Sequence, residues 1–442
     1  MKKSLCIIAS IFIILSLLNG CGTSQNIEAV QNKVSSDSRD TETIENGNLT
    51  GEGDKNTKVV KVNKADVKYD NQFSRNMQFA FDIFSRLNEE DKDENIFISP
   101  LSISTALSMT VQGAGNSTKD GMMRALKYEG MELNEINEGY KTLFTDLKQR
   151  NKGVQIDIGN SIWIRQGGEI KEDFNNVNKD VFDAYVTELD FSSQGAAEEI
   201  NGWVAKSTRN MVKKMVDSPI PPDVCMYLLN AVYFKGEWTD KFEKKDTFSK
   251  VFYSGIGEKK EVMMMTAERN MEYGEKNDFK VIRLPYGEGK TSMYCVLPAE
   301  DVSINSFIER LDVDKWKEIK DSITKRKNVL VNIPRFKLEY GQKTLNKQLA
   351  VMGMEEAFSD NADFSGISNA RPKISRVVHK AVIEVNEEGS EAAAVTAVEV
   401  WFTSLEVNTP SFIADRPFLF FITEDTTDTI LFMGKLYDPQ KY

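Results

Sequence analysis

The stretch from Asn386 to Glu406, NEEGSEAAAVTAVEVWFTSLE, sets the tightest limit on what this chain can fold into. Read by alternation, one set holds Ser390, Ala392, Ala394, Thr396, Val398, Val400 and Phe402, and none of these is charged. The other set holds Glu391, Ala393, Val395, Ala397, Glu399, Trp401 and Thr403. Successive strand residues point to opposite faces of a sheet, so the segment has one face fit for burial and one fit for water. As a strand, its roughly 15 residues would span on the order of 50 Å, far beyond a usual strand of about 5–6 residues. The very small side chains of its first half pack poorly and give little reason to stay put. The segment therefore reads as a loop that can become a strand.

The rest of the chain must supply a body for that loop. With 442 residues, of which 40% are apolar, it can bury a large core. The formal net charge of −11 argues against general nucleic-acid binding, which needs a basic face.

The N-terminus reads as a targeting segment over residues 1–20. Lys2 and Lys3 precede an apolar run, Leu5–Leu18, too short for a comfortable membrane span but suited to a signal-peptide core. It ends in Leu18-Asn19-Gly20-Cys21, which resembles a bacterial lipobox and makes Cys21 a lipidation site. An ordinary secretory signal is the alternative. Residues 21–68 are rich in Ser, Asn, Thr, Asp, Glu, Gly and Lys and read as a disordered tether. A flexible coil of about 47 residues reaches ~35–40 Å root-mean-square, enough to hold a domain clear of a membrane. Residues 69–442 read as one folded domain. Cys225 and Cys295 lie in apolar, strand-like runs and are read as buried free thiols, with a disulfide as the alternative. The chain has no C-x-x-C or H-E-x-x-H motif, so neither a metal nor a cofactor is expected.

From Asn71 the pattern is helical, with Phe73, Met77, Ala80, Phe84 and Leu87 forming one apolar stripe. Ser99 suits an N-cap and Pro100 a first helical position. Further helices are predicted at Ser117–Lys127, Leu133–Arg150 and Ala196–Val216, and strands at Val154–Ile164, Val224–Lys235, Val329–Tyr340 and Val377–Val385. Helices crowd the first half and strands dominate the second, which argues for α+β with mainly antiparallel sheets.

Several of these runs resemble the serpins. EEGSEAAAVTA resembles the reactive-loop hinge of inhibitory members. NIFISPLSISTALSMTVQGAG, LNAVYFKGEW, SDNADFSGIS, FIADRPFLFFI and ILFMGKLYDP resemble other family segments, in the usual order from about Asn71 to the end. The resemblance implies a serpin fold with an exposed reactive-centre loop. The implied function is suicide-substrate inhibition of a serine protease. A cysteine protease would be trapped by the same route, and a non-inhibitory binding protein on the same fold is the alternative. A monomer is implied, exported and lipid-anchored on the outer side of the cell membrane, or else secreted.

By the same resemblance, Glu387, Gly389, Ser390, Glu391, Ala392, Ala393 and Ala394 form the hinge. Counting from the hinge puts the reactive bond at Thr403–Ser404; counting back from Pro417 puts it near Glu406, with Phe402 and Leu405 also plausible. Apolar residues on both sides suggest a chymotrypsin-, elastase- or subtilisin-like target. His379, the only histidine, would join Ser99, Ser102 and Asn230 in a polar shutter beneath the main sheet. Its alternation with Val377, Ala381, Ile383 and Val385 favours a core histidine over a catalytic one. Trp238, Arg335 and Glu387 would form the breach, where the loop first enters. There a shielded Arg335–Glu387 pair over Trp238 and a surface pair of little worth stand as equal readings.

Overall fold

A computed structural model of the protein describes residues 64–149, 153–390 and 409–439. The chain divides into Met1–Lys64 and Ala65–Tyr442. All of the first unit but Lys64 lies outside the described residues, Cys21 included. So does the stretch 391–408, with Glu391, Ala392, Ala393, Ala394, Phe402, Thr403, Ser404, Leu405 and Glu406.

The first half is built from helices α1 (Lys64–Glu90), α2 (Pro100–Val111), α3 (Asn116–Ala125), α4 (Leu133–Gln149), α5 (Glu172–Phe182) and α6 (Ala196–Ser207). They alternate with strands β1 (Ile96–Ile98), β2 (Val154–Arg165) and β3 (Tyr185–Leu189). Strands then take over: β4 (Met226–Glu237), β5 (Phe248–Tyr253), β6 (Lys259–Glu275), β7 (Phe279–Tyr286) and β8 (Thr291–Pro298). After two short helices come β9 (Thr324–Pro334), β10 (Phe336–Thr344), β11 (Arg376–Asn386) and β12 (Gly389–Ser390). Beyond residues 391–408 the chain closes with β13 (Ser411–Ile413), β14 (Phe418–Glu424) and β15 (Thr429–Leu436). The fold is α+β with large, mostly antiparallel sheets, as the segment order predicts.

One sheet has six strands in the order β10-β11-β12-β4-β2-β3. The other follows β1-β15-β14-β8-β7-β6-β9-β13, with β5 added on β6. Aromatic side chains bridge the two sheets: Phe234 of β4 meets Phe432 of β15 edge-on at 5.5 Å, and Phe336 of β10 meets Phe420 of β14 at 5.2 Å.

Helix α2 is buried on every side. Ser99 caps it by accepting from the Ser102 amide, and Pro100 opens it, as the sequence predicts. Buried polar groups must find partners, and those of α2 find them inside and outside the helix: Thr105 donates to Leu101 O at 2.7 Å and Thr110 to Ala106 O at 2.9 Å, while Ser108 donates to the Tyr140 hydroxyl at 3.3 Å.

Three local expectations change. The first helix starts at Lys64, seven residues before Asn71. The helix predicted over Ala196–Val216 stops at Ser207, because Arg209 and Asn210 turn left-handed at φ 50° and 65°. Val212, Met215 and Val216 remain buried, and Asn201 Oδ1 accepts the Met215 and Val216 amides at 2.7 and 2.9 Å. Apolar spacing thus outlasts the helix that it signals.

The strand predicted over Val329–Tyr340 is two strands in two sheets. β9 ends at Pro334 and β10 starts at Phe336, so Arg335 is the residue where the chain changes sheets. The apolar set changes phase at the switch, from Val329, Val331 and Ile333 to Phe336, Leu338 and Tyr340, and Pro334 stands at the break.

Strands β4 and β11 carry the feature that positions the site. They run parallel and pair from Tyr227–Val232 to Arg376–Ala381. Beyond that they part. At the far end β12 sits between them, antiparallel to both: Gly389 and Ser390 face Glu237 and Gly236 of β4, and Asn386 and Val385 of β11.

Candidate functional site: the opening between two parallel strands

The closed part of the seam is fastened by a buried polar cluster. His379 and Asn230 are register partners across β11 and β4. The His379 ring is fully buried. Its Nε2 accepts the Ser99 amide at 3.3 Å. Nδ1 therefore carries the proton and donates to Asn230 Oδ1 at 3.1 Å. The Asn230 amide donates to Ser102 O at 2.7 Å and Asn160 Oδ1 at 2.6 Å, and also meets the Ser102 hydroxyl. Ser99 Oγ donates to Leu431 O at 2.7 Å. The four residues named from sequence thus meet, and Asn160 of β2 joins them.

Burial pushes the imidazole down to about 3, so His379 is neutral. Both ring nitrogens are engaged and no solvent reaches them, so His379 has no free nitrogen with which to serve as a general base.

The open end is built around Glu387. Arg335 is 4% and Glu387 2% exposed, which rules out the surface-pair reading. Arg335 Nε lies 2.7 and 2.8 Å from the two carboxylate oxygens. The Thr247 hydroxyl also donates to this carboxylate. Glu387 O accepts the Phe242 amide at 3.1 Å. Next to it, Glu388 is paired at the surface with Lys241 and Lys244, which hold its carboxyl below the usual range.

Trp238 grips the same segment by a different route from the one predicted. Its indole N–H donates to Asn386 O at 2.8 Å, and its amide donates to Glu388 O at 2.9 Å. Its ring stacks on Tyr286, with centroids 4.4 Å apart and planes within 12°.

Gly389 has φ 149°, and a Cβ there would fall 2.0 Å from Gly236 O. Only glycine lets the chain approach β4 this closely. Ser390 then turns inward, 1% exposed, with its hydroxyl 2.7 Å from that of Tyr286.

Sequence reasoning missed Tyr286, Thr247 and Asn160. Asn160 was open to detection as the one polar residue on the strand face that Ile156, Ile158, Ile162 and Ile164 otherwise make apolar. Tyr286 closes the alternating run FKVIRLPY with nothing to mark its partner.

Among the described residues the two cysteines, Cys225 and Cys295, are free. Cys295 is buried, and burial raises its thiol above the usual range. Cys225 is only half-buried, one residue before β4, which corrects the prediction of two buried thiols.

A buried polar cluster thus joins two parallel strands whose direct pairing ends at Val232 and Ala381, and a two-residue strand lies between them at the far end. A family model described as serpin (serine protease inhibitor) matches residues 74–439. The chain belongs to the serpin family.

Among relatives, this serpin is 35% identical to intracellular coagulation inhibitor 2 of Tachypleus tridentatus, over 84% of this chain and 92% of that protein. It is 35% identical to the leukocyte elastase inhibitor of Homo sapiens, over 83% of this chain and 99% of that protein. Among solved structures, thyroxine-binding globulin in complex with thyroxine aligns with a TM-score of 0.76 at 30% identity, covering 84% of this serpin and all 100% of that chain. Serpins as a family are protease inhibitors, not enzymes, and relatives named as inhibitors stand beside a thyroxine-binding neighbour.

Proposed function

We propose that this serpin is a suicide-substrate inhibitor of a chymotrypsin-, elastase- or subtilisin-like serine protease. The protease serine attacks the loop carbonyl within Phe402–Glu406 and forms an acyl-enzyme. The freed N-terminal part of the loop then enters between β4 and β11 and carries the bound protease with it. The bond-making chemistry belongs to the protease. The inhibitor contributes a sheet that gains pairing once the loop is cut. The observation that carries this reading is β12. Gly389 and Ser390 already lie between β4 and β11, antiparallel to both, and in the sequence beyond them the residues in step with Ser390, namely Ala392, Ala394 and Thr396, carry no charge.

Export as a lipoprotein through Cys21, with the chain from there to the start of α1 at Lys64 as a tether, completes the proposal. It places the inhibitor on the outer face of a membrane as a monomer.

The test is incubation with subtilisin- and chymotrypsin-like proteases followed by denaturing electrophoresis. A covalent complex that survives denaturant supports the reading, and N-terminal sequencing of the released fragment fixes the reactive bond. Clean cleavage with no complex and no rise in thermal midpoint supports the second reading, a binding protein on the same fold, which the thyroxine-binding neighbour keeps in view.

A further inference from the structure

Tyr286 has no role in the resemblance that names Trp238, Arg335 and Glu387, yet the structure aims it at the hinge. It is the last residue of β7, in the other sheet, and it is fully buried. Its ring is fixed on two sides, stacked on Trp238 at 4.4 Å and edge-on to Phe234 at 5.2 Å. A backbone bridge to Trp238 fixes it further. Gly236 lets the ring lie against β4, since a Cβ there would come within 2.7 Å of Tyr286 Cδ1. Gly236 is also the residue that Ser390 faces. The one polar atom of this rigid side chain therefore points at the place where β12 enters. Among the described residues its hydroxyl is bonded to Ser390 alone, at 2.7 Å.

We propose that Tyr286 is a positioning residue for loop entry: its hydroxyl holds Ser390 in the sheet before cleavage, so that insertion extends an existing rung instead of starting one. The inference rests on the inhibitory reading above and deepens it. Starting a new strand fixes several backbone dihedrals before hydrogen bonds accumulate, whereas extending one adds bonds as each residue is fixed. Insertion competes with hydrolysis of the acyl-enzyme. A rung formed in advance shortens the slow part of that race. If Ser390 leaves, the buried Tyr286 hydroxyl loses its partner, and that loss opposes undocking.

The test uses the full chain with Tyr286→Phe, which keeps the stacked ring, and Ser390→Ala, which keeps Tyr286. The first readout is hydrogen exchange at the Gly389 and Ser390 amides of the uncut protein. Each variant is expected to raise exchange there by roughly two- to ten-fold, the factor that one neutral hydrogen bond carries. The double variant should show no further rise, because both changes remove the same bond. The second readout is the number of inhibitor molecules consumed per protease trapped. It should rise in both single variants while the rate of loop cleavage stays unchanged. Unchanged exchange, additive effects in the double variant, or faster exchange with unaltered stoichiometry would overturn the proposal. If Tyr286→Phe fails to fold, Ser390→Ala decides alone. If the unaltered protein traps no protease, the inhibitory reading fails, while exchange still shows whether Tyr286 holds Ser390.

Discussion

The residue where the chain changes sheets is bonded to the residue from which the reactive loop departs: Arg335 Nε lies 2.7 and 2.8 Å from the two carboxylate oxygens of Glu387. One buried ion pair therefore ties β9, β10 and β11 together at the mouth of the opening. Its charges are out of water, so each is costly without the other.

Glu387→Gln should destabilise the uncut protein by about 3–5 kcal/mol, the usual loss when one partner of a buried pair is removed. Arg335→Lys should cost less, since an ammonium keeps the charge but cannot reproduce the planar contact. Urea unfolding of the three proteins checks the order; equal midpoints would show that the pair does not hold this corner.

Gly389→Val should expel β12. Its Cβ would meet Gly236 O at 2.0 Å in a backbone region that branched residues avoid. Rapid hydrogen exchange at residues 389–390, with β11 and β4 still protected where they pair directly, is the expected pattern.

Ser390→Arg should leave the loop a good substrate and abolish trapping. Ser390 is 1% exposed against Tyr286, and a guanidinium there would have to leave water without a carboxylate partner. Electrophoresis should show cleaved chain and free protease. Persistence of the stoichiometric complex would mean that entry does not begin at this residue.

His379 gives the protein an acid limit in a window where few other groups titrate. Burial holds its pKa at about 3, against about 6.5 when unfolded. The unfolded chain therefore takes up a proton between these values that the folded chain refuses. The contribution is complete above pH 6.5 and declines as pH falls, by at most about 1.4 kcal/mol per pH unit. His379 is the only histidine, and ordinary carboxylates titrate below about pH 5. Urea midpoints between pH 7.5 and 5.2 should fall with acidification, and a His379→Asn variant should flatten the slope. Parallel slopes would show that the ring is not held neutral.

What was legible in the sequence follows from the range of each interaction. The α2 cap needed only Ser99 and Pro100, which are neighbours. The cluster of Ser99, Ser102, Asn230 and His379 joins residues up to 280 positions apart; family resemblance named it, and no local pattern would have done so. Arg335 is a case of a local signal read past: the apolar set shifts from odd positions, Val329, Val331 and Ile333, to even ones, Phe336, Leu338 and Tyr340, and that change of phase marks the change of sheet. Tyr286 was invisible for a different reason. Its ring reads as one more apolar residue at the end of a strand, and its hydroxyl acquires meaning only when two sheets bring it to Ser390.

The seam between β4 and β11 has a final consequence. Where the two strands touch, each rung is one parallel pairing; where β12 lies, each strand has gained an antiparallel neighbour of its own. Advancing the wedge by a residue thus trades a single ladder for a double one of the slightly stronger kind. Toward the closed end the wedge would meet the His379–Asn230 bond, so the same clasp that joins the two strands also sets how far a third can travel before something must break.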